Sequence, residues 1–257
     1  FHAPYDRRPS IWGVASRSLY RLWSSALARY DAIVIFSHQQ KEILTSCGVS
    51  GERIHVIPNG VDTNYFRPGP STFKEEIGAD LLLVYCGRLD PEKNVGTLLD
   101  VFCTLNPESN CKAVIVGNGV EYDRLRRRHQ GNAALFTGLV QDSQELLRIL
   151  QAGDVFVLPS EVEGLSIAML EAMACGMATI ATDVGSDGEA LEGAGIAIDP
   201  RNLRGQLDLA LRLLVENPEF RRALGRSARR RVVSRYSLHQ NIDQVVKLYE
   251  NLLSADR

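Results

Sequence analysis

Short apolar runs alternate with helix-forming segments over most of the chain beyond residue 30. The clearest runs are DAIVIFS, LLLVYCG, AVIVGNG, DVFVLP and ATIAT. Runs of this length that are rich in Val, Ile and Leu are typical of strands buried on both faces of a sheet. Strands that alternate with helices form parallel crossover units, which bind ligands at the carboxyl ends of the strands. The pattern therefore predicts an α/β fold with a parallel sheet.

The stretch from Asp154 to Leu191 predicts a strand, a loop, a helix, a second strand and a second loop. DVFVLP is the first strand, and IAMLEAMAC is the helix, which ends at Gly176 because glycine suits a left-handed turn. ATIAT is the second strand, and the second loop runs from Asp183 to Gly188. The helix start, around Gly164 to Ser166, offers free backbone N–H groups that favour a phosphate.

Two glutamates, Glu163 and Glu171, lie on this loop and helix. Eight helical positions separate them by roughly 12 Å along the axis. The paired carboxylates of glycosidases are closer, at roughly 5 to 9.5 Å. The spacing therefore favours two contacts with one elongated ligand. The alternative is that Glu163 caps the helix and Glu171 is a solvated helical residue.

Two cations follow the strand LLLVYCG. Arg88 leaves the carboxyl end of the strand, and Lys93 stands just before a helix predicted from Val95 to Leu105. Such a pair suits a diphosphate, because Arg binds two oxygens at once and Lys adds a point charge. The alternative is a pair of surface cations that neutralise Asp90 and Glu92.

Composition excludes several classes of protein. The 257 residues are 45% hydrophobic and 23% charged, which is ordinary for a globular protein, and a net charge of −2 gives no reason to expect nucleic acid. No apolar run reaches the length of about 18 residues that spans a membrane. The 5 cysteines are odd in number and lack paired spacing, which indicates a reduced, cytoplasmic location without disulfides or zinc. AVIVGNG lacks the full G-x-G-x-x-G spacing of an NAD site.

Two basic segments leave contact with a membrane open. Residues 11–30 carry Trp and Leu at helical spacing among arginines, and a second arginine cluster extends from Arg221 to Arg235. A basic amphipathic helix can lie on an anionic membrane surface. The alternatives are a helix packed on its own domain and a solvated helix face.

Four segments, in order, resemble the family 4 retaining glycosyltransferases. They are RIHVIPNGVDTNYFRP from Arg53, GRLDPEKN from Gly87, EGLSIAMLEAMACGMATIAT from Glu163 and TDVGSDGE from Thr182. Glu163 and Glu171 match the E-x7-E motif of that family. One such segment is weak support, but four in order over most of the chain are specific. The resemblance implies an α/β fold of GT-B type, with two Rossmann-like domains built on doubly wound parallel sheets.

The resemblance also implies a domain organisation. Residues 1–68 match the carboxyl-terminal remnant of an acceptor-side domain, and residues 69–236 match a complete sugar-donor domain. Residues 237–257 match a terminal helix that crosses back to the first domain. Because the resemblance begins in mid-domain, we expect an amino-terminally truncated chain.

The resemblance assigns roles to particular residues. Arg88 and Lys93 are expected to stabilise the diphosphate, Glu171 to bind ribose hydroxyls and Glu163 to bind the sugar. His2 matches, in a poor context, a histidine that faces the sugar from the first domain; a solvated loop histidine is the alternative. The loop TGLVQ is expected to hold the nucleobase by main-chain contacts. The other implied contacts with the sugar donor are Gly87, Leu139, Val140, Gly164, Leu165 and Ser166.

The function implied is retaining transfer of a sugar from a nucleotide-diphosphate sugar to a saccharide or lipid acceptor. Neither a cofactor nor a metal is expected, since the two cations supply the countercharge and no Asp-x-Asp pair lies near the site. The alternatives are a non-catalytic nucleotide-sugar-binding module and a nucleotide-sugar epimerase. A third, a phosphorylase-like enzyme, would need a pyridoxal phosphate lysine that no motif supplies. The base, the sugar and the acceptor stay open.

Overall fold

The computed structural model describes residues 26–27, 29–105, 110–129 and 134–255. His2 and most of the basic segment 11–30 lie outside the described residues. No helix of the described part is long and apolar enough to cross a membrane. The described chain forms two sheets of parallel strands.

The first unit is a crossover made of β1 (Ile33–Ile35), α1 (His38–Ser46) and β2 (Ile54–Val56). β1 and β2 pair in parallel, with Ile33 opposite Ile54. Ser37 caps α1 by accepting a hydrogen bond from the N–H of Gln40. A small core of Ile33, Ile35, Leu44, Val49 and Ile54 holds the unit together.

The second unit contains a six-stranded sheet of order β5-β4-β3-β6-β7-β8, and all its neighbouring strands are parallel. The strands are β3 (Leu81–Cys86), β4 (Cys111–Val116), β5 (Ala134–Gly138), β6 (Val155–Leu158), β7 (Ala178–Thr182) and β8 (Ile196–Ile198). The order reverses between β3 and β6, because the chain winds outward to β5 and then returns to the other side of β3. Open parallel sheets bind their ligands at such a switch point.

Helices pack against this sheet and against one another. They are α2 (Phe73–Glu76), α3 (Val95–Phe102), α4 (Tyr122–Arg128), α5 (Ser143–Ala152), α6 (Ile167–Ala174), α7 (Asp187–Leu191), α8 (Leu203–Glu216) and α9 (Pro218–Arg235). The last helix, α10 (Leu238–Ala255), contacts the segment after β2 through Asn241. The central strands β6 and β7 are buried along their whole length. Their continuous apolar sequences thus reflect burial on both faces, as the hydrophobic pattern predicts.

The chain passes between the two units twice, and the two passages touch. Val61 pairs with Ser237 in an isolated parallel bridge, in which the N–H of Val61 donates to Tyr236 O at 2.8 Å. Asn241, at the start of α10, donates through Nδ2 to Pro58 O at 2.8 Å. A Cβ on Gly60 would lie 2.6 Å from Cα of Leu238, so only glycine fits this crossing. The domain boundaries at residues 68 and 236 stay predictions.

Two predicted boundaries need correction. The loop predicted from Asp183 to Gly188 stops at Ser186, because the N–H of Ala190 bonds to Ser186 O at 3.1 Å and α7 begins at Asp187. The helix predicted from Val95 to Leu105 ends at Phe102. The carboxyl-terminal segment forms α10, whose side chains Leu238, Ile242, Val246, Tyr249 and Leu253 are exposed.

Candidate active site

The site lies at the switch point, where β3 and β6 end side by side. Gly87 follows β3 and donates its N–H to Val116 O at 3.0 Å. A Cβ at this position would lie 2.9 Å from the hydroxyl oxygen of Tyr85, which is fully buried and donates to Arg88 O at 2.6 Å. The glycine therefore lets the chain pass close over Tyr85 and delivers Arg88 to the sheet edge.

Gly117 brings the loop after β4 against the same turn. Its φ of +130° is a conformation that side-chain-bearing residues rarely adopt. A Cβ on Gly117 would lie 1.9 Å from Gly87 O. The N–H of Gly117 donates to Gly138 O at 2.8 Å, which ties this loop to the end of β5. The chain segments at the ends of β3, β4 and β5 are thus in direct backbone contact.

Lys93 forms an ion pair that was not predicted. Its Nζ lies 2.7 Å from Glu163 Oε1 and also donates to Val162 O at 3.3 Å. The Lys93 and Glu163 side chains are only 12% and 16% exposed. Lys93 ends a single 3-10 turn, and Glu163 lies on the loop after β6. The alternative pairing of Lys93 with Asp90 or Glu92 is therefore wrong.

Arg88 follows that alternative instead. Its guanidinium pairs with Asp90 and lies 3.4 Å from Glu92 Oε1. The side chain is 68% exposed. Exposed ion pairs contribute little to stability, because water screens them. The guanidinium is therefore held weakly, although it stands at the same sheet edge as Lys93.

The start of α6 is capped by Ser166 and not by Glu163. Ser166 Oγ accepts from the N–H of Met169 at 3.3 Å. The preceding loop leaves Gly164 exposed and Leu165 only 8% exposed. A Cβ on Gly185 would lie 2.1 Å from Glu163 O, so the loop after β7 presses directly on this turn. The proposed cap role of Glu163 is therefore excluded.

Glu171 is half-buried on α6. Burial raises the pKa of Glu171 to about 7. It forms no ion pair with any residue of the described chain. The alternative that Glu171 is a solvated helical residue is therefore wrong, because its surroundings disfavour the charged form of the carboxyl.

Asp187 is a site residue that sequence reasoning missed. It is fully buried, and its Oδ1 accepts from the N–H of Ser166 at 2.8 Å. Its Oδ2 has no hydrogen-bond partner among the described residues. Burial raises the pKa of Asp187 to about 8. Its position in a loop rich in Gly and Ser gave no sign of burial.

The loop after β5 contributes the other predicted contacts. Leu139 is 66% exposed, and Val140 is half-buried against the core. Both follow Gly138, whose φ is +73°. This places them at the carboxyl edge of the sheet, two strands from Arg88.

Several arginines of α9 serve the fold. Arg229 donates to Thr63 O, Phe66 O and Ala174 O at 2.8 to 3.0 Å, and burial lowers its pKa. Arg231 donates to Glu189 O at 2.6 Å. Arg222, Arg226, Arg230 and Arg235 are exposed, so contact with a membrane stays a prediction for these arginines of α9, as it does for the segment 11–30.

The described residues contain no group of three or more His, Cys, Asp or Glu side chains placed to hold a metal ion. Independence from metal stays a prediction. The two α/β units with parallel sheets, together with the solved structures described below, confirm the predicted α/β fold of GT-B type.

Comparison with known protein families agrees with the predicted family. The family model described as glycosyl transferases group 1 matches residues 71–231, and that described as Glycosyltransferase Family 4 matches residues 1–65. The chain belongs to the group 1 glycosyl transferases, and the predicted family is confirmed.

Curated relatives are longer than this chain. Alpha-maltose-1-phosphate synthase of Mycolicibacterium smegmatis is 27% identical over 255 residues, which are 89% of this chain and 65% of the relative. Glycogen synthase of Mycobacterium tuberculosis is 30% identical over 243 residues, which are 91% of this chain and 58% of the relative. The chain thus spans less than two thirds of either relative.

Solved structures share the fold at low identity. Anabaena HepE in complex with UDP has a TM-score of 0.79 at 20% identity, covering 92% of this chain and 68% of HepE. Sucrose-phosphate synthase from Thermosynechococcus elongatus has a TM-score of 0.80 at 23% identity, covering 97% of this chain and 65% of that chain.

Proposed function

We propose that this chain forms the nucleotide-sugar site of a retaining glycosyltransferase that acts on a saccharide or lipid acceptor. The observation that carries the proposal is the Lys93–Glu163 pair, which places a shielded cation at the topological switch point beside the start of α6. HepE, which shares the fold, has been crystallised with UDP and with UDP-glucose. The curated relatives are named as synthases of maltose phosphate and of glycogen.

Lys93 and Arg88 act on the diphosphate. An ammonium group has one more N–H than Glu163 and Val162 O occupy, so Lys93 can bind a phosphate oxygen without leaving its partner. Arg88 can leave its exposed pairs and bind two oxygens. Both cations then stabilise the negative charge that develops on the leaving diphosphate, in place of a metal.

The two glutamates bind hydroxyl groups. Glu171 accepts from ribose hydroxyls, which favours its ionised form over the neutral form that burial favours. Glu163 accepts from the sugar through the carboxylate edge that Lys93 leaves open. Leu139 and Val140 contact the nucleobase through their main chain.

Retention follows a front-face route in this proposal. A double displacement needs a carboxylate free to attack the sugar. Glu163 is engaged by Lys93, and Glu171 lies on the helix behind it. The departing phosphate therefore assists the acceptor hydroxyl on the face that it leaves.

Calorimetric titration of this chain with UDP, GDP and ADP sugars tests the proposal. Lys93→Met should weaken the preferred nucleotide about tenfold or more, since a hydrogen bond to a charged group contributes about 1.5 to 3 kcal/mol. Lys74→Met is the matched control, because Lys74 also pairs with a carboxylate, Asp154, at 2.6 Å but away from the switch point. Equal losses in both variants, or no nucleotide binding, would refute the proposal.

A transfer assay on the full-length protein separates the enzyme from a non-catalytic module. Sugar appearing on a saccharide or lipid acceptor with its anomeric configuration kept supports the retaining transferase. Nucleotide-sugar binding without transfer supports the module, and a changed sugar still attached to the nucleotide supports an epimerase. Transfer that persists in a chelator supports independence from metal.

A further inference from the structure

Three buried side-chain oxygens near the proposed sugar site have no hydrogen-bond partner among the described residues. They are Ser160 Oγ, at the end of β6, and Ser186 Oγ and Asp187 Oδ2, at the end of β7. All three side chains are at most 2% exposed. Because β6 and β7 are parallel neighbours, these groups share one sheet edge. Native proteins leave few buried polar groups unpaired, so such a cluster calls for a functional explanation.

Asp187 is the member of this cluster whose side chain touches the site. Its Oδ1 accepts from the N–H of Ser166, the residue that caps α6. Next to it, the N–H of Ser186 donates to Gly164 O at 2.6 Å, and Gly185 packs against Glu163 O. The loop after β7 therefore holds the turn from Glu163 to Ser166 through backbone contacts and through the carboxyl group of Asp187.

Charged and titratable groups face Asp187 from three elements. Burial raises the pKa of Asp187 most, the N–H of Ser166 lowers it, the carboxylate of Glu163 raises it and Lys93 lowers it. Burial raises the pKa of Tyr236, at the end of α9, and a negative charge on Asp187 adds to this rise. Burial is the largest of these effects and favours the neutral form of this carboxyl.

An ionised carboxyl at this place would act against an anionic ligand. It would set a second negative charge beside Glu163 and draw Lys93 away from a phosphate. It would also neutralise the positive end of α6, which otherwise attracts anions. A neutral carboxyl keeps the same hydrogen bond to Ser166 without these effects.

We propose that Asp187 is a positioning residue that, in its neutral form, holds the turn from Glu163 to Ser166 for a nucleoside diphosphate and weakens that binding when it ionises. The proposal rests on the proposed function and adds a pH dependence to the same site. Asp187 acts through Ser166, Glu163 and Lys93 and does not itself contact the ligand.

Calorimetric affinities for UDP, GDP and ADP at pH 7 and pH 9 test this. If only the neutral form binds well, the wild-type affinity for the preferred nucleotide should fall about tenfold over that range. Asp187→Asn keeps the shape and the acceptor for Ser166 but cannot ionise, so its loss should stay below about threefold. Asp183→Asn makes the same change on an exposed carboxylate of the same loop and should lose affinity as the wild type does.

A tenfold loss in Asp187→Asn equal to that of the wild type would overturn this inference and leave the proposed function standing. No binding of any of the three nucleotides at either pH would overturn both. Carbon-detected NMR titration of the wild-type Asp187 carboxyl needs no variant and covers the case in which Asp187→Asn misfolds. Titration near pH 8 supports the inference, and titration near pH 4 overturns it.

Discussion

Lys93 Nζ and Glu163 Oε1 lie 2.7 Å apart although 70 residues separate them along the chain. The parallel pairing of β3 with β6 brings them together, because each residue follows the carboxyl end of its strand. Both side chains are largely shielded from water, which strengthens their attraction and also makes each costly to leave unpaired. In the proposed function, Lys93 binds the diphosphate and Glu163 binds the sugar. Substitutions at the two residues should therefore affect different parts of the ligand.

The first prediction concerns Glu163→Gln. The amide removes the negative charge while keeping the size of the side chain, so Lys93 is freer to bind phosphate. We expect the affinity for a bare nucleoside diphosphate to stay within about threefold of wild type or to rise. Sugar transfer should fall at least about tenfold, because the sugar contact is weakened. Calorimetry with the bare nucleotide and steady-state transfer kinetics measure the two effects, and a large loss of bare-nucleotide affinity would contradict the assignment.

Glu171→Gln, unlike Glu163→Gln, should weaken binding of the bare nucleotide. If Glu171 binds ribose hydroxyls, the change weakens the bare nucleotide and its sugar derivative alike, by roughly tenfold. Calorimetric titration of both ligands against Glu171→Gln measures this. Losses confined to the sugar derivative would show that the roles of Glu163 and Glu171 are exchanged.

Arg88→Ala should weaken nucleotide binding without changing stability. Arg88 is 68% exposed and, within the described part of the chain, forms ion pairs with its near neighbours Asp90 and Glu92, so the fold loses little. Arg124→Ala is the matched control, since Arg124 is 58% exposed and pairs with Glu121. Thermal unfolding should be unchanged in both variants, while calorimetry should show at least about a fivefold loss for Arg88→Ala alone. Equal affinity in the two variants would remove Arg88 from the site.

Much of the fold follows from local patterns. ATIAT matches β7, because continuous burial leaves a clear apolar signal. The helix from Val95 to Leu105 was predicted too long. Beyond Phe102 the N–H groups of Thr104 and Leu105 bond to carbonyls three residues back, so the α-helical pattern stops there.

The site was only partly predictable. Spacing and residue type indicated Arg88, Lys93, Glu163 and Glu171, but not which of them would touch. The pairing of Lys93 with Glu163 depends on strand order, which no local pattern contains. The burial of Asp187 depends on Gly185, whose φ of +59° and missing side chain let the loop press on Glu163 O.

The buried Asp187 predicts a dependence of stability on pH. Its pKa is about 8 in the folded chain, against an ordinary value of 3.8, so the folded state binds more protons between these limits. The stabilising contribution is therefore complete below pH 3.8 and is lost as the pH rises through about 8. Asp187→Asn should raise the free energy of unfolding at pH 7 by at least about 1.4 kcal/mol, the equivalent of one pKa unit.

Urea unfolding at pH 5 and pH 8 measures this effect, and the advantage of Asp187→Asn over wild type should grow with pH. Asp183→Asn, on an exposed carboxylate, is the control. A constant difference between wild type and Asp187→Asn would show that Asp187 is already ionised in the folded chain.

Gly117→Ala should lower the free energy of unfolding more than the same substitution at an unhindered glycine. Its φ of +130° is strained for alanine, and the added Cβ would lie 1.9 Å from Gly87 O. Gly193→Ala is the matched control, because Gly193 has a φ of +68° and nothing within 4 Å of the added Cβ. The control should lose about 1 kcal/mol, the cost of the left-handed conformation alone. Gly117→Ala should lose at least about 2 kcal/mol more, since backbone must move. Urea unfolding compares the two, and equal losses would mean that the turn at Gly87 yields without cost.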